Sequence, residues 1–139
     1  MRACLALIVL LAFSISAGAA DTAFPNLVGT WTVTGEGGIL TYSEDPGERT
    51  HWKDGQTSIA AEVAFTKQDG RIARGTFKSA RATEPFLAAL GHDGKTIHFA
   101  DTDGYTDGRV VDADTLEVVY RHSSAKSTVV AVTTWKRKK

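Results

Sequence analysis

The 139 residues carry 16 Lys and Arg against 16 Asp and Glu, a formal net charge of zero, with one Cys, one Met and three Trp. Such a balance supplies no basic face for a nucleic acid partner. A lone cysteine, Cys4, rules out a disulfide framework within the chain.

The first twenty residues read as a cleavable signal peptide. Arg2 gives a positive start, residues 5–17 are almost uninterruptedly apolar, and Ala17-Gly18-Ala19-Ala20 places small residues at the cleavage positions. The apolar run is shorter than the roughly 20 residues of a bilayer-spanning helix, so no stable membrane insertion is expected. Cys4 precedes that run, which is the wrong side for a lipid anchor at the cleavage point. The expected mature chain, residues 21–139, is one domain in the periplasm or the medium. It has lost its only Cys and Met and, with Arg2 gone, keeps 15 of the 16 basic residues. About 120 residues bury an adequate core without covalent staples. The cluster Lys136-Arg137-Lys138-Lys139 reads as a solvated tail.

From residue 26 onward, short runs rich in Val, Ile, Thr, Phe and Tyr alternate with Gly, Asp, Asn and Pro about every ten residues, the spacing of an all-β fold. Residues 26–34 form the first expected strand, with Leu27, Gly29, Trp31 and Val33 on one face. Residues 35–56 are polar and glycine-rich and read as a long connection, with a short strand at most around residues 39–42. Residues 58–66 place Ile59, Ala61, Val63 and Phe65 together, and Gln68-Asp69-Gly70 turns them into residues 71–79, where Ala73, Gly75 and Phe77 share a face. Residues 84–90 fit a helical turn or a buried strand; the following His92-Asp93-Gly94 turn favours the strand. Further strands are expected at 95–100, 105–111, 116–122 and 127–137. On the seventh, Leu116, Val118, Tyr120 and His122 share a face. Short turns pair neighbours antiparallel, and about eight strands close into an up-and-down barrel that leaves no edge exposed.

Asn26-Leu27-Val28-Gly29-Thr30-Trp31 at one end and Thr133-Thr134-Trp135-Lys136-Arg137 at the other resemble the first and last strands of lipocalin and avidin-type barrels. There a Gly-x-Trp plugs the barrel and a late basic residue lies near that tryptophan. The stretches Glu84-Pro85-Phe86, Asp93 to Ile97, Asp103-Gly104-Tyr105 and Asp114 to Val118 resemble small exported bacterial proteins with a lipocalin-like domain of unassigned function. Trp31, Trp52 and Trp135 stand on the first strand, the long loop and the last strand, which does not match the aromatic walls of a biotin pocket. Trp31 beside Gly29 on an inward face reads as core. Arg137 has the parity to stack on a tryptophan, its partner left open.

Asp101, Asp103 and Asp107 with their glycines do not fit a calcium loop, whose glycine belongs at position six. His51, His92, His98 and His122 lack zinc-ligand spacing, so no metal and no cofactor is expected. Glu62 falls on an outer face, and there is no nucleophile elbow, mature Cys nucleophile or phosphate loop. The leading functional reading is therefore a carrier for a small hydrophobic molecule, held inside the barrel by Phe65, Phe77 and Phe99, with Tyr120 and His122 as polar handles near the mouth. Val33, Val63 and Val118 would complete the lining, and the small inward residues Ala61, Ala73 and Gly75 would leave it room. For Tyr120 and His122 the competing reading is a core tyrosine and a rim histidine in solvent. The alternatives to a carrier are a protein-binding module with residues 21–25 as its trunk, such as a protease inhibitor, and then an enzyme at the barrel mouth. Oligomeric state is left open.

Overall fold

The computed structural model describes residues 24–42, 50–102 and 104–139. The expected signal peptide lies outside the described residues. Eight antiparallel strands, β1 (Gly29–Thr41), β2 (Ser58–Asp69), β3 (Ile72–Lys78), β4 (Thr83–Leu90), β5 (Thr96–Ala100), β6 (Gly104–Asp112), β7 (Thr115–Ser123) and β8 (Ser127–Arg137), pair in chain order and close through β1 against β8. None of the described residues is helical. The expected all-β, eight-stranded, up-and-down barrel is thus the fold, and residues 83–90 are a strand.

One element is longer than its composition suggests. β1 does not stop near residue 34 but runs to Thr41, pairing Gly35 with Thr133, Gly37 with Ala131 and Thr41 with Ser127. The glycines that look like loop are what let it run. A Cβ on Gly35 would stand 2.2 Å from the Val132 carbonyl oxygen, and one on Gly37 2.4 Å from that of Val130. Glycine inside a strand marks a close backbone approach as often as a break, and here β8 lies against the place where side chains would be. The true connection is residues 42–57.

Alternation sorts the side chains as expected, and the chain order sorts the ends. At one end lie residues 24–28 and the turns at 70–71, 91–95 and 113–114; at the other lie residues 42, 50–57, 79–82, 101–102 and 124–126. The first end is shut. Trp31 is fully buried, its Nε1–H donates to the Leu27 carbonyl at 3.0 Å, and the Arg137 guanidinium lies 4.2 Å over its ring. That guanidinium also donates to the carbonyls of Asn26, Val28 and Ala113 and pairs with Asp114. Gln68 holds residues 24–28 down by accepting the Leu27 amide at 2.7 Å and donating to the Pro25 carbonyl. Arg71 stacks 4.7 Å from the Phe24 ring, so this part of the expected trunk is fastened to the barrel, while residues 21–23 are outside the description.

Above Trp31 the barrel is filled by rings. Phe65 meets Trp31 edge-on at 6.2 Å, Phe86 at 5.1 Å and Trp135 at 6.3 Å. Gly75 leaves no free room: a Cβ there would lie 2.7 Å from Phe86 and 2.1 Å from the Ala64 carbonyl oxygen. Ala73 is likewise inside the packed core. The space that small residues provide is taken by their neighbours' rings, as interior packing density demands.

Candidate functional site

A second, smaller apolar cluster occupies the other end: Trp52, Ile59, Val129 and Ala131, with Ile39, Ala61, Phe77 and Tyr120 against them. Trp52 comes from the long connection, yet it is 2 % exposed. Thr50 shapes its approach, the hydroxyl accepting the Trp52 amide at 3.2 Å. Nothing periodic marks Trp52 as interior, because a loop residue carries no strand parity.

Between the two clusters lies a cavity. Its floor and walls are Phe77, Phe86, Phe99, Val118, Ala131 and Trp135; Ile59 and Trp52 close one side, and His51, Asp101, Thr106, Tyr120 and Thr133 supply the polar groups. It offers about 50 Å³ to the centres of water molecules, within about 550 Å³ of empty space that includes the open mouth. The smaller figure is the room a water-sized guest finds. It exceeds the roughly 10–15 Å³ that one water needs and falls short of the roughly 150 Å³ apolar cavity that takes up benzene. A larger depression of about 890 Å³ over the β3–β4 turn, lined by Lys78, Arg81 and Thr102 among others, lies outside the barrel and is open to solvent.

Of the residues expected to meet a ligand, Phe77, Phe99 and Tyr120 line this cavity, as does Val118. Phe65 does not. It belongs to the layer beneath, between Trp31 and Trp135, with Val33 and Val63 beside it in the same core. The last strand brings the Trp135 ring across the barrel above Phe65, so Trp135 forms the floor. His122 is not a solvated rim residue: it is buried beside the β7–β8 turn, with Nε2 3.4 Å from the Ser127 hydroxyl, and is not among the residues that line this cavity. Tyr120 lies across Gly104, where a Cβ would stand 2.5 Å from its ring.

Three ionisable side chains reach this end of the barrel from different elements. Asp101 continues the inward parity of Ile97 and Phe99 past the end of β5 and accepts the Gly104 amide at 2.7 Å. Glu84 lies opposite Phe77 on the inward face of β4, sharing parity with Phe86, Ala88 and Leu90; its alternation with those apolar residues was the available signal. His51 is brought by the long connection. Its ring packs on Phe77 with centroids 4.7 Å apart, Nδ1 lies 2.8 Å from the Ser79 hydroxyl and Nε2 lies 3.2 Å from the Glu84 carboxylate.

Ser79, His51 and Glu84 thus stand in the order of nucleophile, base and orienting carboxylate. The serine oxygen, however, accepts the amides of Arg81 at 3.1 Å and Ala82 at 3.3 Å. Ser79 caps its own turn and is outside the cavity lining. Together the three side chains fasten the long connection to the β3–β4 end of the mouth. Thr133 satisfies the floor tryptophan, accepting Trp135 Nε1–H at 2.9 Å.

On the outer face Glu62 pairs with Lys138, which holds its carboxyl below the usual range. Asp107 is also held low, by His98 and Arg121. No group of three His, Cys, Asp or Glu among the described residues could hold a metal ion. The sequence matches no protein-family model, and no curated protein matches it either.

Proposed function

We propose that the protein is an exported carrier of lipocalin-like type, and that its barrel interior binds a small apolar or aromatic molecule. The observation that carries this reading is the ring-lined cavity between the two core clusters, with a few polar side chains in its lining. A concave apolar site with a few convergent polar groups is the usual form of a small-molecule site, and an eight-stranded barrel is the size that holds one small ligand. The small volume limits the guest to a few heavy atoms unless a lining side chain gives way.

Titration with an environment-sensitive apolar dye tests it. One-to-one binding is expected. Ala131→Phe should abolish it by filling the cavity, with folding checked by circular dichroism, since Ala131 lines the space and Ala61 and Ala73 do not. Tyr120→Phe should weaken binding by about 0.5–1.5 kcal/mol, the worth of one hydrogen bond. Absence of dye binding, together with no co-purifying small molecule in native mass spectra of protein from its own cells, would overturn the reading. Export is tested by intact mass in the exported fraction, where loss of the first 19 or 20 residues is expected; full-length chain there would refute it.

A further inference from the structure

We propose that the slot filled by the Trp52 indole is the outer half of the binding site, and that its ligand is a planar aromatic molecule of about bicyclic size that binds by displacing Trp52. This rests on the reading of the barrel as a small-molecule carrier and names its ligand class.

Every strand of the barrel supplies its own inward residues, yet the cluster at the open end is completed by a side chain from outside the strands. The indole sits against Ile59, Val129 and Ala131, next to Phe77 and Tyr120. In effect it is a tethered aromatic ligand whose tether is residues 50–57, outside the paired strands. The cavity beside it is too small for a ring by itself; cavity and indole slot adjoin, since Trp52 is one wall of the cavity, and together they accept a flat bicyclic molecule. The floor it would reach is aromatic, with Trp135 5.2 Å from Phe99 and 6.2 Å from Phe77.

Apart from the packing of the indole itself and of the His51 ring on Phe77, the ties of residues 50–56 are polar and local. His51 is bonded to Ser79 and Glu84, Arg81 donates to the Thr50 carbonyl at 3.2 Å, and Thr41 donates to Asp54 at 2.7 Å. Each of these bonds can be exchanged for water at the mouth, whereas at the shut end Trp31 and Arg137 lie on paired strands. Departure of residues 50–56 therefore costs no strand pairing, because β1 ends at Thr41 and β2 begins at Ser58. A ligand competing with a resident side chain binds weaker by the fraction of time the slot is vacant, and removing the competitor restores that affinity.

The test uses 2-naphthol as probe and the chain labelled with 5-fluorotryptophan, read by fluorine NMR with the three resonances assigned by single Trp→Phe variants. Saturating 2-naphthol should move the Trp52 resonance to a solvent-exposed position while that of Trp31 stays. Trp52→Ala should bind the probe roughly ten-fold tighter than the parent. Because that variant can lose its fold, Arg81→Ala serves as a second: it removes the donor to the Thr50 carbonyl, lies outside the cavity lining and should bind a few-fold tighter. Binding that leaves the Trp52 resonance unmoved, or binding no tighter in both variants than in the parent, would overturn displacement and leave the carrier reading standing. Failure of folded parent and Arg81→Ala alike to bind the probe would overturn both.

Discussion

The two ends of the barrel are each closed by a buried tryptophan, and they differ in what carries it. Trp31 belongs to a strand paired on both sides, with Val63 on β2 and Arg137 on β8, and its indole N–H and its face are both engaged. Trp52 is equally buried but hangs from a connection that belongs to no strand, with residues 50–56 tied largely by side-chain hydrogen bonds and the His51 ring on Phe77. Burial is therefore a poor guide to permanence. A side chain on a paired strand can leave only if the sheet opens, while one on a loop can leave with the sheet intact.

The largest effect should follow from breaking the strand-borne end. Trp31→Ala is expected to lower stability by about 3–5 kcal/mol, with or without ligand, as for other fully buried aromatics. Chemical denaturation measures it, and a variant melting within a degree or two of the parent would contradict the assigned burial. Trp52→Ala should cost less, about 3 kcal/mol at most, because the connection can rearrange over the gap and part of the cavity penalty is relieved. Equal losses in the two variants would erase the distinction between the ends.

Arg137→Met keeps an apolar stem over Trp31 and removes the charge, so it isolates the polar closure. The Asn26, Val28 and Ala113 carbonyls lose their donor, and about 2 kcal/mol should be lost, the range for hydrogen bonds to a charged group. Hydrogen exchange of the amides of residues 26–30 should quicken while those of residues 50–56 stay as they are.

The smallest effect is acid sensitivity at the shut end. Asp93 accepts the Thr96 hydroxyl and the amides of Thr96 and Lys95, which bring its carboxyl down from 3.8 to about 2. Its folded value is depressed, so the stability it adds is present above about pH 4 and is lost as pH falls toward 2. Carbon NMR of the Asp93 carboxyl follows the titration, and Asp93→Asn should remove this share of the acid dependence. A carboxyl titrating at its ordinary value would show that the turn does not hold it.

Residue periodicity carried most of the fold. The alternation of Ile59, Val63 and Phe65, of Leu116, Val118 and Tyr120, and the Asp-Gly turns at residues 69–70 and 93–94 specify strands, faces and antiparallel neighbours, because these are local properties of a pleated chain with a period of two. The candidate site was only partly legible for the same reason. Parity put Phe77, Phe99 and Tyr120 inside, but it could not say that Trp135 would cross above Phe65 and make it core, since that depends on the stagger of β8 against β1. Nor could parity reach His51 and Trp52, which lie in a segment without regular structure. It misjudged residues 35–41, where glycine reads as a break in one dimension and proves to be clearance for a neighbouring strand in three. The sequence by itself determined the number of strands, their inward faces and the tryptophan that shuts one end. Tertiary structure alone decided which rings fill the interior, which line a cavity, and that a loop tryptophan occupies the mouth, because those outcomes are set by distances between residues far apart along the chain.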